Sequence, residues 1–333
     1  MTLKEMNTEL LRTTLKKVDS GTKNSLARLT GLSVATCRNI LGELLESGEV
    51  KEIELADSTG GRPSKQFVYN KDHAHALLLF LRKEGGVSSI FFRVIDALGN
   101  GLMCDSLEVE DLSLQHIDQQ ITALRKKFPA IRVLSIGIPG VVHDGVIKTC
   151  DIPALENLPI VEHLSNTYGI PVIAENDVNA TALGSYFSRN RSDRESLVYI
   201  YYPEQGCVGA GIIINGTVIP GRRDFAGELS YLPCIEEPGI QARMQEDEDA
   251  FAKLAVDMIL SVNCVINPAK VVIAGMFITP SLKAKINHEL SGRGQQFSIP
   301  EIEFDHDIHD SFIYGLQYLA LKELSYKYTI TKR

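Results

Sequence analysis

Apolar positions recur at helical spacing through the first fifty residues. Met6, Leu10, Leu11, Leu15 and Val18 fit one helix, which Asp19-Ser20-Gly21 interrupts. Thr22 is placed to cap a short helix from Lys23 to about Leu29, and Thr30-Gly31-Leu32 makes a tight turn. Ser33 caps a third helix, whose apolar face holds Val34, Cys37, Ile40, Leu41, Leu44 and Leu45 and which Ser47-Gly48 ends. Glu49 to Leu55 and Gln66 to Tyr69 alternate as strands do, and Ser58 to Lys65 between them reads as a hairpin wing.

Beyond a short linker at Tyr69 to His73, the periodicity switches between two and 3.6. Strands are expected at 76–82, 89–95, 133–138, 171–174, 197–202, 209–214 and 270–274, with a short pair around 141–147. Helices are expected at 117–127, 159–168, 178–187, 251–265 and 312–324. Strands alternating with helices, with paired strands opening each half, imply two α/β lobes with a cleft between them.

Composition narrows the class. Apolar residues make up 44% of the 333 and charged residues 23%, which excludes a disordered chain. The richest apolar run, Leu77 to Leu81, falls far short of the ~20 residues of a membrane span. The N-terminus lacks the apolar core of a secretion signal, so a cytoplasmic location is expected. Six cysteines without a Cys-x-x-Cys pair are expected to be buried, reduced thiols.

A net charge of −8 argues against nucleic-acid binding until it is divided along the chain. Residues 1–70 hold ten Lys/Arg against nine Asp/Glu, and the excess of acid lies entirely beyond them. Three helices with a Gly-containing turn before the third outline a helix-turn-helix, whose third helix enters the major groove by its first turns. There Thr36, Arg38 and Asn39 face away from the apolar side, Arg38 suited to guanine or phosphate and Asn39 to adenine. Glu43 and Glu46 point outward further along, where phosphate would repel them. Arg62 and Lys65 of the wing, with Gly60, Gly61 and Pro63, suit a narrow minor groove, although a solvated turn would have the same composition.

Three later segments resemble the ROK (repressor, ORF, kinase) family. They are Gly137-Ile-Pro-Gly140 running on to Ile147, Pro171 to Gly184 with Glu175-Asn176-Asp177 at its centre, and Gly209-Ala210-Gly211 to Gly216 followed by Ala226-Gly227-Glu228-Leu229. Leu29 to Thr36 and Gly60-Gly61-Arg62-Pro63 resemble the DNA-binding part of the family's regulator branch, which includes xylose- and N-acetylglucosamine-type repressors. The resemblance implies a winged helix-turn-helix at 1–70 followed by a two-lobed actin/hexokinase-like (ribonuclease H-like) domain. Lobe 1 would be 71–190, completed by a C-terminal helix at 311–326, and lobe 2 would be 191–310.

By the same resemblance, Asp177 matches the kinases' catalytic base, Asn176 and Glu228 match sugar-hydroxyl partners, and Gly140 matches a turn beside the sugar. Carboxylates and amides suit sugar hydroxyls, which both donate and accept. Asn and Asp are also favoured helix caps, and an acid in a helix's first turn is favoured whatever the function. The phosphate elements depart from the pattern. Lys83 or Glu84 stands where the kinases place an Asp that holds phosphate and magnesium, Gln205-Gly206-Cys207-Val208-Gly209 replaces a glycine-rich loop, and Ala274-Gly275-Met276-Phe277 replaces an adenine-side double glycine. ATP binding and kinase activity are therefore not expected, and Asp177 would be a vestigial base. Tyr231 takes the position of a family zinc-ligating His and only Cys234 lies nearby, so neither zinc nor any other metal is expected. The cluster Asp305-His306-Asp307-Ile308-His309-Asp310 reads as a solvated acidic loop.

These features together predict a sugar-responsive DNA-binding regulator, a repressor, with a catalytically inactive sensor. Its partners would be double-stranded operator DNA, a sugar or sugar-phosphate effector bound at Gly140, Asn176, Asp177, Glu228 and Tyr231, and further copies of the chain in a dimer or tetramer. The alternatives are an active sugar kinase with an appended DNA-binding domain, and a DNA-binding protein whose second part is only a dimerisation scaffold.

Overall fold

The computed structural model describes residues 2–53, 65–84, 86–188, 195–204, 207–235, 240, 247–293 and 298–327. Arg62, its neighbours Gly60, Gly61 and Pro63, and the pair Gln205-Gly206 lie outside the described residues.

The chain opens with α1 (Leu3–Lys17), α2 (Lys23–Thr30) and α3 (Val34–Glu46). Each start is fixed by a capping side chain. The Thr2 hydroxyl accepts from the Glu5 N–H, Thr22 from Ser25 and Ser33 from Thr36. Gly31, at φ 71°, ends α2 in the left-handed conformation that lets the chain turn directly into α3. Leu11, Leu15, Leu26, Cys37, Ile40, Leu41 and Leu44 form the core, closed by Val50 of β1 (Val50–Ile53) and Phe67 of β2 (Gln66–Tyr69), which pair antiparallel. Arg12 of α1 is buried, and its guanidinium donates to the equally buried Glu49 and to Glu9. That ion pair ties α1 to the start of β1. Met6, Leu10 and Val34 depart from expectation: they are 54%, 44% and 47% exposed and take no part in the core of this unit.

The next sheet has the order β5-β4-β3-β6-β9. Its strands are β3 (His75–Glu84), β4 (Val87–Asp96), β5 (Gly101–Val109), β6 (Ile131–Ile138) and β9 (Val172–Asn176). A small hairpin, β7 (Gly140–His143) and β8 (Val146–Cys150), interrupts the run. Leu77, Leu79 and Leu81 face α4 (Leu114–Lys127) and α5 (Ile160–Tyr168), whereas Ala76, Leu78 and Phe80 face the opposite side.

The second sheet repeats that order as β12-β11-β10-β13-β14. Its strands are β10 (Ser196–Tyr201), β11 (Gly209–Ile214), β12 (Thr217–Val218), β13 (Lys270–Ala274) and β14 (Glu301–Asp305). One face packs on α7 (Glu248–Ile266) and α8 (Pro280–Arg293). The other meets α6 (Asp177–Ser188). Helix α9 (His309–Lys327) packs beside α6 on the first sheet. Thus α6 is buried on all sides, from Ala180 through Tyr186.

Where α6 and α9 cross, backbone lies against backbone. A Cβ on Gly184 would stand 1.6 Å from the Ser311 carbonyl oxygen, and one on Gly315 would stand 1.8 Å from that of Ala180.

The pattern missed β5, α8 and β14. β5 is an edge strand exposed along most of its length, so it lacks alternation. β14 is also an edge, and α8 buries only Leu282, Ile286 and Leu290. The supposed acidic loop is shorter than expected, because Asp305 ends β14 and His309 and Asp310 begin α9. All six cysteines are free, but only Cys37 is buried: Cys104, Cys207, Cys234 and Cys264 are exposed because edge, loop and helix-surface positions hold them.

Gly315→Ala forces a methyl into an occupied backbone position and is expected to lower stability by about 1–3 kcal/mol in urea unfolding. Gly42→Ala, in the middle of α3 with open space around it, is expected to raise stability by about 0.5–1 kcal/mol in the same measurement.

Candidate functional site

β9 passes into α6 without a loop, which places Glu175, Asn176 and Asp177 at one strand-to-helix junction. The parallel pairing of β6 with β9 sets Ile138 opposite Asn176, so the Pro139-Gly140 turn lies beside the helix start. Gly140 is needed there: at φ 153°, a Cβ would lie 2.1 Å from the Thr149 carbonyl oxygen of β8.

The Asn176 amide works first as a cap. Its Oδ1 accepts from the Asn179 N–H at 2.9 Å, and its Nδ2 donates to the Gly140 carbonyl at 2.8 Å and to Asp177 at 3.1 Å. What it retains for a ligand is the second lone pair of Oδ1. Glu175 accepts from the Asn176 N–H and from the Asn179 amide.

Two cavities flank this junction. The larger, about 670 Å³, has Lys83, Asp151, Asp177, Tyr201, Met276 and His309 in its wall. The smaller, about 30 Å³, is bounded by Asn176, Asn179, Asp224 and Glu228. A water molecule needs roughly 10–15 Å³ of such space, so in this arrangement of the lobes the smaller cavity has room for water. The residues expected to bind sugar are therefore divided: Asp177 faces the large cleft, whereas Asn176 and Glu228 face the small one. Tyr231 lines neither. It is 60% exposed and its ring lies 5.6 Å from that of the equally open Phe225.

Asp224 in the wall of the small cavity makes a contact that the sequence pattern did not reveal. Arg222–Asp224 crosses from the second sheet's side to the β7–β8 hairpin, where Asp224 bonds to the His143 ring. Arg223 and Asp224 both hold a left-handed backbone, at φ 62° and 56°, a conformation that costs a non-glycine residue roughly 1–2 kcal/mol.

Carboxylates dominate the electrostatics. Burial pushes the Asp177 carboxyl up to about 7, with Asp151 and Glu228 adding their repulsion and the Val178 N–H opposing it. Burial also raises Asp151, which the Lys83 ammonium partly offsets. Glu228 and Glu175 are raised by burial as well. Lys83 at the end of β3 therefore places a cation in the cleft wall, and Arg82 joins it there.

In the N-terminal unit, Arg38 and Asn39 are exposed on the first two turns of α3, and the half-buried Thr36 hydroxyl bonds to Ser33. Glu43 and Glu46 are also exposed, and Glu43 accepts from Lys4 at 2.7 Å. Lys65 pairs with Glu52 across the β1–β2 ladder at 2.5 Å. Arg62 lies outside the described residues.

Among the described residues no helix is long and apolar enough to cross a membrane, and no three His, Cys, Asp or Glu side chains are grouped to hold a metal.

A sequence profile described as the ROK family matches residues 84–240. The xylose repressor of Caldicellulosiruptor bescii is 27% identical over 242 residues, covering 69% of this chain and 59% of that protein. The N-acetylglucosamine repressor of Escherichia coli O157:H7 is 23% identical over 241 residues, with 69% and 58% covered. The matched region thus spans about three-fifths of the length of these curated relatives. Among solved structures, a ROK family transcriptional regulator described as a homolog of the E. coli MLC protein aligns over 97% of this chain and 98% of its own. Its TM-score is 0.67 at 19% identity. A ROK family glucokinase from Streptomyces griseus, in complex with glucose and AMPPNP, aligns over 75% of this chain and 100% of its own, at TM-score 0.58 and 15% identity. These likenesses show the two-lobed actin/hexokinase-like fold.

The raised Asp177 carboxyl makes stability depend on pH. Its folded value lies above the ordinary 3.8, so the protonated form is favoured on folding, and stability is lost as pH rises from about 4 through about 7. Asp177→Asn mimics the protonated form. It is expected to raise Tm by about 2–4 °C at pH 8, with a smaller gain at pH 5, as read by calorimetry.

Proposed function

The chain belongs to the ROK family, and we propose that it is a sugar-responsive DNA-binding regulator, acting in the cytoplasm as a repressor. The observation that carries this reading is the N-terminal unit: three capped helices and a two-stranded ladder joined to a two-lobed body. We read that unit as a winged helix-turn-helix, with α3 entering the major groove. Its first two turns present Arg38 and Asn39 to solvent while Cys37, Ile40, Leu41 and Leu44 hold the opposite face in the core. Arg38 reads a base edge or phosphate, Asn39 an adenine edge, and Arg62 and Lys65 of the wing approach the minor groove. Thr36 positions the start of α3.

The sensor works by linkage. A sugar or sugar phosphate enters the cleft and bonds to Asp177, with Asn176 and Gly140 fixing that carboxylate in place and Glu228 behind it. Tyr231 and Phe225 present open ring faces to solvent. Binding favours one lobe arrangement over another, and in a dimer this changes the spacing of two recognition helices that must match half-sites about one DNA turn apart. Relatives named xylose repressor and N-acetylglucosamine repressor support this class of ligand.

Catalysis is not part of this reading. Phosphoryl transfer needs backbone cradles and a metal-holding carboxylate, whereas the end of β3 places Arg82 and Lys83 in the cleft. The donor set does not suit zinc either, since among the described residues it consists of an exposed phenol at Tyr231 and one exposed thiol at Cys234.

Genome-wide footprinting of bound DNA supplies the operator for a mobility-shift assay. Arg38→Ala is expected to weaken operator binding at least tenfold. Lys65→Ala is expected to have a smaller effect, because Lys65 already pairs with Glu52. Unchanged affinity in Arg38→Ala overturns the docking. Incubation with ATP and hexoses is expected to release no ADP; ADP release abolished by Asp177→Ala makes the protein a kinase instead.

A further inference from the structure

The β7–β8 hairpin and the Arg222–Asp224 turn belong to different lobes, and each is rooted in its own. On the first lobe, Ile147 of the hairpin shares the core beneath the sheet with Ile160 of α5, and the Val161 N–H donates to the Gly145 carbonyl at 3.2 Å. On the second, the Ala210 N–H of β11 donates to the Gly227 carbonyl at 2.8 Å. A Cβ on Gly227 would stand 1.9 Å from the Ala210 carbonyl oxygen, so the turn lies directly against that strand. With both sides anchored, the hydrogen bond between the His143 ring and the Asp224 carboxylate is made only when the lobes are close.

The turn is held in a strained shape to make that bond. Arg223 and Asp224 keep left-handed backbone between Gly221 at φ 70° and Gly227 at φ 96°. Strain of this kind persists only where surrounding contacts outweigh it. The His143 ring supplies one such contact through Nδ1, while its Nε2 stands 3.5 Å from the Asp144 carboxylate. The His143 and Asp224 side chains remain 34% and 27% exposed, so water can take the place of either partner once they separate.

The smaller cavity lies between the same two lobes. Val142 of the hairpin and Asn176 of the junction wall it on one side, and Ala210, Asp224 and Glu228 on the other. In this arrangement its volume of about 30 Å³ has room for water. A sugar that bonds to Asn176 and Glu228 as well as to Asp177 needs these walls further apart. They cannot part while Asp224 holds His143.

We propose that the Asp224–His143 bond is an inter-lobe latch that keeps the effector site shut in the absence of sugar, so that a sugar binds only by breaking it. This rests on the sensing function proposed above. The latch tunes affinity and does not choose the sugar: only the unlatched fraction of molecules is competent to bind, and apparent affinity falls by that fraction.

Two variants open the latch in different ways. His143→Ala removes the ring, which does not itself line the cavity. Asp224→Gly removes the carboxylate and suits the left-handed backbone at that position. A single cooperative melting transition shows that each is folded. Hydrogen exchange without sugar reads the latch itself. His143→Ala is expected to speed amide exchange across the gap at 222–229, and Asp224→Gly to speed it at 140–150. Unchanged exchange on the opposite lobe in both variants overturns the latch. Titration calorimetry on the full chain, with D-xylose and N-acetyl-D-glucosamine as probes, reads its effect on binding. Each variant is expected to bind at least one probe about five- to tenfold more tightly than the wild type, the change that loss of one hydrogen bond from the shut arrangement allows. The double variant is expected to gain nothing beyond the tighter single one, because both changes break the same bond. Wild-type or weaker affinity in folded His143→Ala refutes the latch and leaves the sensing function standing. If neither sugar binds the wild type or any variant, the sensing function falls and the latch falls with it.

Discussion

Helix α6 is clamped between two sheets, with α9 pressed against it closely enough that Gly184 and Gly315 admit no side chain. On its other side Gly211 of β11 makes the same concession, since a Cβ there would lie 2.4 Å from that of Ala182. The body of the molecule is organised around this packing. It fixes the direction of α6, and so where Asp177 faces the cleft. It also fixes α9, which carries His309 at one end and meets α1 of the N-terminal unit at the other. Small residues are required because backbones in contact leave no volume for side chains, and the dispersion energy comes from the close approach itself.

The second constraint is electrostatic. Asp151, Glu175, Asp177 and Glu228 all sit where burial raises their protonation, and Lys83 is the cation that offsets one of them. Such a cluster of buried carboxyls is costly unless hydrogen-bond donors satisfy its oxygens. The Asn176 amide lowers the cost locally by donating to Asp177, and Asp224 in the wall of the smaller cavity is held by the His143 ring. The geometry thus separates two residues that one run of sequence suggested were joined: Asn176 shapes the junction, and Asp177 lines the larger cleft.

Most of the fold was legible along the chain. Helix caps at Thr22 and Ser33 and the αL glycine at Gly31 are local chemistry, read without knowledge of distant residues. The strand-to-helix junction at Asn176-Asp177 was legible for the same reason. Edge strands β5 and β14 were not, because a strand with one neighbour and an exposed face need not alternate. The exposure of Met6, Leu10 and Val34 likewise depends on which helices pack against them and not on their own periodicity.

The sequence by itself determined the order of elements, the division between a near-neutral N-terminal unit and an acidic body, and the residue types at the helix starts, because each depends on neighbours a few positions away. Only the tertiary structure decided which face of the junction is open. It joined His143 to Asp224, set Lys65 against Glu52, left Tyr231 outside both cavities, and turned a supposed acidic loop into the start of α9 beside the cleft. Those outcomes rest on contacts between residues far apart in the chain, and cavity shape is set by the packing of elements whose mutual approach no local pattern encodes.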